Sequence, residues 1–269
     1  MTRGGRRTGA WARIAAATAA LAALMAWPPA ARAAGSVLQV ATRDGVNTSL
    51  YWSPVAGATT TVLLFPGGDG GFGRVDANGT TGRNFLVRSA ALFEARGLNV
   101  AIFGRPGDTP ALGFEQRTGA AHLADVRGVL DHLRSLGAER IWLVGTSRGT
   151  VSATAAAIAL PDHVAGLVLS ASVTSARRAG AVPTQDLAAI RIPVLVVHHA
   201  QDACPICAPR DLPLIVQGLA RAPVKKLLLL SGGGPPSGDV CEALHHHGFI
   251  GIEAEAVDAI AGWIAKPSP

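Results

Sequence analysis

Charged residues are scarce in this chain: Asp, Glu, Lys and Arg make up 16% of its 269 residues, against 49% hydrophobic ones. A composition this poor in charge and this rich in aliphatic side chains can bury enough apolar surface to offset the entropy lost on folding. It excludes an intrinsically disordered chain. Internal repeats, low-complexity tracts and linker-like stretches are also missing, so nothing splits the main part of the chain into separate domains. The apolar run near the N-terminus, Ile14 to Trp27, is too short to span a bilayer comfortably. The first 33 residues contain no acidic residue.

Those 33 residues open with Arg3, Arg6, Arg7 and Arg13, continue with the apolar run, and end in Pro28-Pro29 and Ala31-Arg32-Ala33. A positive start, a short apolar core and an A-x-A site predict a secretory signal peptide over residues 1–33, followed by one domain over 34–269. An uncleaved N-terminal anchor is the alternative. Arg6-Arg7 is a twin-arginine pair, though without the usual apolar residues close behind. Cleavage would remove five of the 24 basic residues and leave 19 against 18 acidic ones, so the formal charge of +6 would fall to +1. The basic balance then belongs to the export signal, which argues against nucleic acid as a partner. The expected location is periplasmic or secreted, in an oxidising compartment, with no stable membrane span after cleavage.

Strand-like and helix-like stretches alternate along the rest of the chain. Strands are predicted at 37–41, 47–52, 60–65, 98–103, 141–144, 164–169, 193–197 and 226–230. Helices are predicted at 84–95, 122–136, from the turn at Ser147 to Leu160, and at 253–265. Near-continuous apolar strands separated by helices imply an α/β fold with a mostly parallel sheet of about eight strands, covered on both faces. Only about 23 residues separate Leu169 from Pro193, room for one short helix and for little or no lid.

"IWLVGTSRGTVSA", Ile141 to Ala153, is the most informative stretch. A buried strand runs into Gly145-Thr146-Ser147-Arg148-Gly149, and a helix of small residues follows. Glycines on both sides let strand and helix approach closely, and the serine between them is pushed into a strained, exposed position. Ligands of open α/β sheets bind at that carboxyl edge. A serine hydroxyl is a weak nucleophile and needs a base that is itself oriented by a carboxylate. "VLVVHHAQDACP" puts Asp202 just past a strand, and "CEALHHHGFIGIE" puts a histidine just before the last helix.

In these features, with "FPGG" after the third strand and "HGF" before the final helix, the sequence resembles the α/β-hydrolase superfamily from Val37 to Ile264. The resemblance implies the order Ser147, Asp202, His247 for nucleophile, acid and base. His247 precedes a glycine, as the family's base often does, and His246 is the alternative. Asp186 and Asp211 compete with Asp202, but neither directly follows a strand. The oxyanion would be met by the N–H of Arg148 and by one from the loop after Phe65: Gly68, or else Asp69, since Pro66 stands where many members have His. The Arg148 side chain reads as a surface ion pair or a contact for an anionic substrate group. His198 and His199 read as structural groups around the acid.

Three cysteines remain, Cys204, Cys207 and Cys241. C-P-I-C resembles a redox dithiol. In an exported chain, however, the convergence of the Asp202 and His247 loops would bring Cys204 to Cys241 as a structural disulfide. Cys207 would then be free, or an alternative partner. The His tract lacks the carboxylate or cysteine spacing of a zinc site, and no metal is expected. The leading reading is an exported serine hydrolase acting on the carboxylic ester or related acyl bonds of a small-molecule substrate, without a cofactor. A peptidase or amidase and a catalytically silent binding protein of the same fold are the alternatives.

Overall fold

Eight apolar stretches pair into one sheet: β1 (Ser36–Arg43), β2 (Val46–Ser53), β3 (Thr60–Phe65), β4 (Asn99–Pro106), β5 (Arg140–Thr146), β6 (Gly166–Ser170), β7 (Val194–His199) and β8 (Lys225–Leu230). The computed structural model describes residues 35–77 and 79–269, together with Met1. The reading of residues 1–33 as a signal peptide, Met1 aside, lies outside the described residues. The spatial order is β1-β2-β4-β3-β5-β6-β7-β8. β2 is antiparallel to both of its neighbours, and every pairing from β4 through to β8 is parallel. No described helix is long and apolar enough to cross a membrane.

The strands read as unbroken apolar runs because both faces of the sheet are covered, and the side-chain period of two sends alternate residues to opposite cores. Leu63, Phe65, Leu143, Leu167 and Val196 belong to one core, while Val62, Leu64, Val144, Val168 and Leu195 belong to the other. The first core is closed by α3 (Ala120–Ser135), α4 (Gly149–Ala159) and α5 (Leu212–Gly218). The second is closed by α1 (Phe85–Arg88), α2 (Ala90–Glu94) and α6 (Glu253–Ala265).

Three local expectations are corrected. The single helix predicted at 84–95 is two short ones, because buried Ser89 leaves helical geometry at φ −95°, ψ 4°. Serine offers its neighbours non-helical alternatives and is a poor helix-interior residue. The short helix expected between β6 and β7 is instead two 3₁₀ turns, Val182–Thr184 and Leu187–Ala189. Gly180, Pro183 and Pro193 leave too short an uninterrupted run to nucleate an α-helix. This stretch holds no lid. Conversely, α5 arises from what reads as a proline-rich segment: Pro213 lies in its first turn, where a missing N–H does no harm.

Candidate functional site

The carboxyl ends of β3, β5 and β7 meet along one edge of the sheet, and the loops beyond them build the site. β5 and α4 are joined by the tightest of these turns. A Cβ on Gly145 would come within 2.6 Å of the Gly149 carbonyl oxygen, and one on Gly149 within 1.9 Å of the Phe65 oxygen. Glycine is therefore required at both positions. Ser147, between them, sits at φ 52°, in left-handed space that a non-glycine residue enters only when its surroundings enforce it. Those surroundings are specific. The Ser147 N–H donates to the Ser170 carbonyl at 3.1 Å. The Ser147 carbonyl accepts from the Thr150 hydroxyl at 2.6 Å, and Thr150 Oγ1 in turn accepts the Val173 N–H at 3.2 Å.

Asp202 and His247 are brought together from loops 45 residues apart in sequence: His247 Nδ1 lies 2.8 Å from Asp202 Oδ2, and both side chains are buried. The same carboxylate oxygen lies 3.0 Å from His198 Nε2, and Oδ1 accepts the Cys204 N–H at 2.9 Å. His198 Nε2 also stands 2.9 Å from the Cys207 carbonyl. A ring nitrogen facing two acceptors carries the hydrogen, so His198 donates. Burial works against ionising Asp202, but the bonds from His198 and His247, with the Cys204 N–H, outweigh it and hold the carboxyl well below the ordinary carboxylate range. An ionised Asp202 places the His247 proton on Nδ1 and leaves a lone pair on Nε2. That Nε2 is buried and has no hydrogen-bond partner among the described residues.

His246 takes a different position. Its ring stacks on His199 at 4.5 Å, and His199 is tied to the Gly232 carbonyl at 3.0 Å and to the Gln201 N–H at 3.0 Å. Asp186 is exposed beside a 3₁₀ turn and Asp211 stands at the N-cap position of α5, so neither replaces Asp202.

Ser147 and His247 line one cleft of about 200 Å³, together with Gly67, Gly68 and Cys241. The loop after β3 presses against the turn, since a Cβ on Gly67 would fall 2.8 Å from the Ser147 Cβ. Asp69 turns away to pair with Arg148 at 3.0 Å, and the Arg148 guanidinium lies over the Phe114 ring at 4.9 Å. Of the two candidates for the second oxyanion N–H, Gly68 is the one that lines the cleft.

Cys204 and Cys241 are joined by a disulfide, with Cα atoms 4.6 Å apart. Cys207 is a free, buried thiol close to the Ser147 side chain. Burial pushes this thiol up, the Asp202 charge adds to that, and the Ser147 contact only partly opposes it, so Cys207 is held as the neutral S–H. Potential ligand atoms of Cys204, Cys207 and His247 lie within 4.8 Å of one another. The Cys204 sulfur is committed to the disulfide, however, and two groups fall short of a closed tetrahedral zinc set.

Sequence reasoning gave no role to Arg117 and did not place the Cys207 thiol against Ser147. A lone arginine in a polar loop carries no pattern. The thiol contact depends on how the 203–208 loop folds back.

No protein-family description matches the chain, and neither does any curated protein. Solved structures do match. An α/β serine hydrolase without lid from Xanthomonas campestris is 18% identical, with 88% of this chain and 94% of that one covered at a TM-score of 0.55. An esterase from Pyrococcus furiosus is 14% identical over 86% of this chain and 92% of its own, at 0.60. A dienelactone hydrolase from Anabaena variabilis is 17% identical over 86% and 96%, at 0.57. With strand order, crossover pattern and strained serine turn all in place, the chain has the α/β-hydrolase fold.

Proposed function

We propose that the protein is an exported serine hydrolase that cleaves carboxylic ester or related acyl bonds of small molecules through an acyl-enzyme. Ser147 Oγ attacks the carbonyl carbon, and its proton passes to His247 Nε2. Asp202 holds the Nδ1–H and stabilises the imidazolium that forms. The backbone N–H groups of Gly68 and Arg148 receive the oxyanion, aided by the positive end of α4. Collapse of the tetrahedral intermediate releases the alcohol, which takes the proton from His247. Water then repeats the sequence on the acyl-enzyme and frees the acid. No step calls for a cofactor. The observation that carries this reading is the pairing of His247 Nδ1 with Asp202 at 2.8 Å, which leaves Nε2 buried, unpartnered and in the same cleft as Ser147. The test is labelling with a fluorophosphonate followed by mass spectrometry of the modified peptide. The expected product is a single adduct on Ser147; an adduct on another serine would overturn the assignment. N-terminal sequencing of exported protein is expected to begin near Ala34, and an intact Met1 on membranes would mean an anchor instead.

A further inference from the structure

The oxyanion loop, Pro66-Gly67-Gly68-Asp69-Gly70, has little stiffness of its own, because three of its five residues are glycine. Yet every carbonyl from 66 to 69 is engaged. Pro66 and Gly68 accept from Arg117 Nη2 at 3.3 and 3.0 Å. Gly67 accepts from the Gly70 N–H at 3.1 Å and Asp69 from the Leu112 N–H at 3.0 Å. Arg117 Nε also holds the Leu112 carbonyl, at 3.2 Å. Its remaining contact is outside the loops: Nη1 donates to Ser152 Oγ at 2.9 Å, on the helix that begins just after Ser147.

Arg117 is 1% exposed. All four of these bonds end on a carbonyl or hydroxyl oxygen and none on a carboxylate. Asp69, the carboxylate whose charge acts on Arg117, is engaged by Arg148. A buried charge without a contacting anion is unfavourable compared with an apolar side chain of the same volume. Packing alone therefore does not account for it. The guanidinium is one rigid planar fork. It fastens the two peptide units that flank the Gly67–Gly68 peptide, and it fastens them to the nucleophile's own helix.

We infer that Arg117 is a positioning residue for catalysis, setting the aim of the oxyanion N–H groups relative to Ser147. The inference rests on the hydrolase reading proposed above. Because a peptide unit is planar, a carbonyl held on the buried side turns its N–H to the other side. With both flanking units pinned, the unit that bears the Gly68 N–H keeps one orientation before substrate arrives. Oxyanion stabilisation depends on that preorganisation. Without Arg117 the glycine loop samples other orientations. Substrate still enters, but the transition state is met less often by a correctly aimed donor.

The test compares wild type with Arg117→Met, Arg117→Lys and Ser152→Ala on a short p-nitrophenyl ester. Denaturation midpoints are measured on the same samples. Loss of a whole oxyanion donor lowers kcat by about 10²- to 10³-fold, so a loss of aim is expected to lower it by about 30- to 100-fold in Arg117→Met, with KM within about threefold. Arg117→Lys should recover part of kcat, and Ser152→Ala should lose a smaller factor, again in kcat. A trifluoromethyl ketone transition-state analogue should weaken in proportion to kcat, a readout that a merely structural role would not move. Should Arg117→Met fail to fold, Arg117→Lys and Ser152→Ala carry the comparison. Unchanged kcat in the folded variants, or losses explained by a lower folded fraction or a higher KM, would overturn the inference. Labelling of wild type at Ser147 separates the two readings. A labelled wild type with an unaffected Arg117→Met sinks only the role of Arg117, whereas an unlabelled wild type sinks the hydrolase reading and this role with it.

Discussion

Ser147 is held by the turn it sits in, whereas Asp202 and His247 are held against each other from two separate loops. The serine follows the central strand β5, in a turn whose glycines leave no room for another course. Asp202 and His247 stand on loops beyond β7 and β8, toward one edge of the sheet, and reach each other across 45 residues of sequence. There the order comes from a disulfide, from His198 and from the Cys204 N–H. Local geometry encoded in a few adjacent residues fixes the first region. Contacts between distant residues fix the second, and these can be removed one at a time.

The largest expected effect treats the two regions as one device. Ser147→Ala and His247→Ala should each lower kcat by on the order of 10⁶-fold on an activated ester, because such groups act as a unit. A Ser147→Ala protein of near-normal activity would reduce the turn to scaffolding. Asp202→Asn should lower kcat by about 10⁴-fold with the far-UV spectrum unchanged, since an amide no longer selects the Nδ1–H tautomer.

Next come effects on stability, where the regions should part. Cys241→Ser opens a loop of 37 residues, for which chain entropy predicts a loss of about 3 to 4 kcal/mol by denaturant titration. Native-state hydrogen exchange should show the loss in the 200–208 and 239–249 loops, with the β5 and α4 amides still protected; uniform loss would erase the distinction.

Acid tests stability from another side. His122, on α3, is buried with neither ring nitrogen bonded, and burial together with the nearby Arg117 charge pushes it down to about 3. The unfolded chain takes up this proton near pH 6.5 and the folded one does not, so stability falls on acidification from about pH 6.5 toward 3, by about 1.4 kcal/mol per unit. His122→Leu should flatten that slope. The contribution of Asp202, whose carboxyl is depressed, is present above the ordinary carboxylate range and is lost only as the pH falls below it, so the His122 contribution should be lost first. The smallest effect is expected from His246→Ala: its ring stacks on His199, away from Asp202, and kcat should stay within about threefold.

The same division accounts for what could be read from sequence. Alternating apolar runs place all eight strands, since the two-sided cores impose the pattern residue by residue. The turn at Ser147 is legible because its cause is local. Asp202 and His247 could be named, and their loops expected to converge, only through chain order and resemblance, because no local rule fixes the distance between two loops. Arg117 was invisible for the same reason: its partners are at 66, 68, 112 and 152. The break at Ser89 was missed because apolar helical spacing runs across a residue of poor helix propensity, and α5 was missed because Pro213 reads as a breaker yet lies in the first turn, where proline is tolerated.

One bond between Cys204 and Cys241 ties the Asp202 loop to the His247 loop, and this bears on how a purified sample is judged. Protein recovered from a reducing cytoplasm would contain a well-formed serine turn and an unfastened relay. Weak turnover by such a sample would report its thiol state and not the competence of Ser147. Counting free thiols, with one per chain expected after full oxidation, is therefore the measurement to make before any substrate panel, and mild oxidation of an idle batch should bring its turnover up as the count falls from three to one.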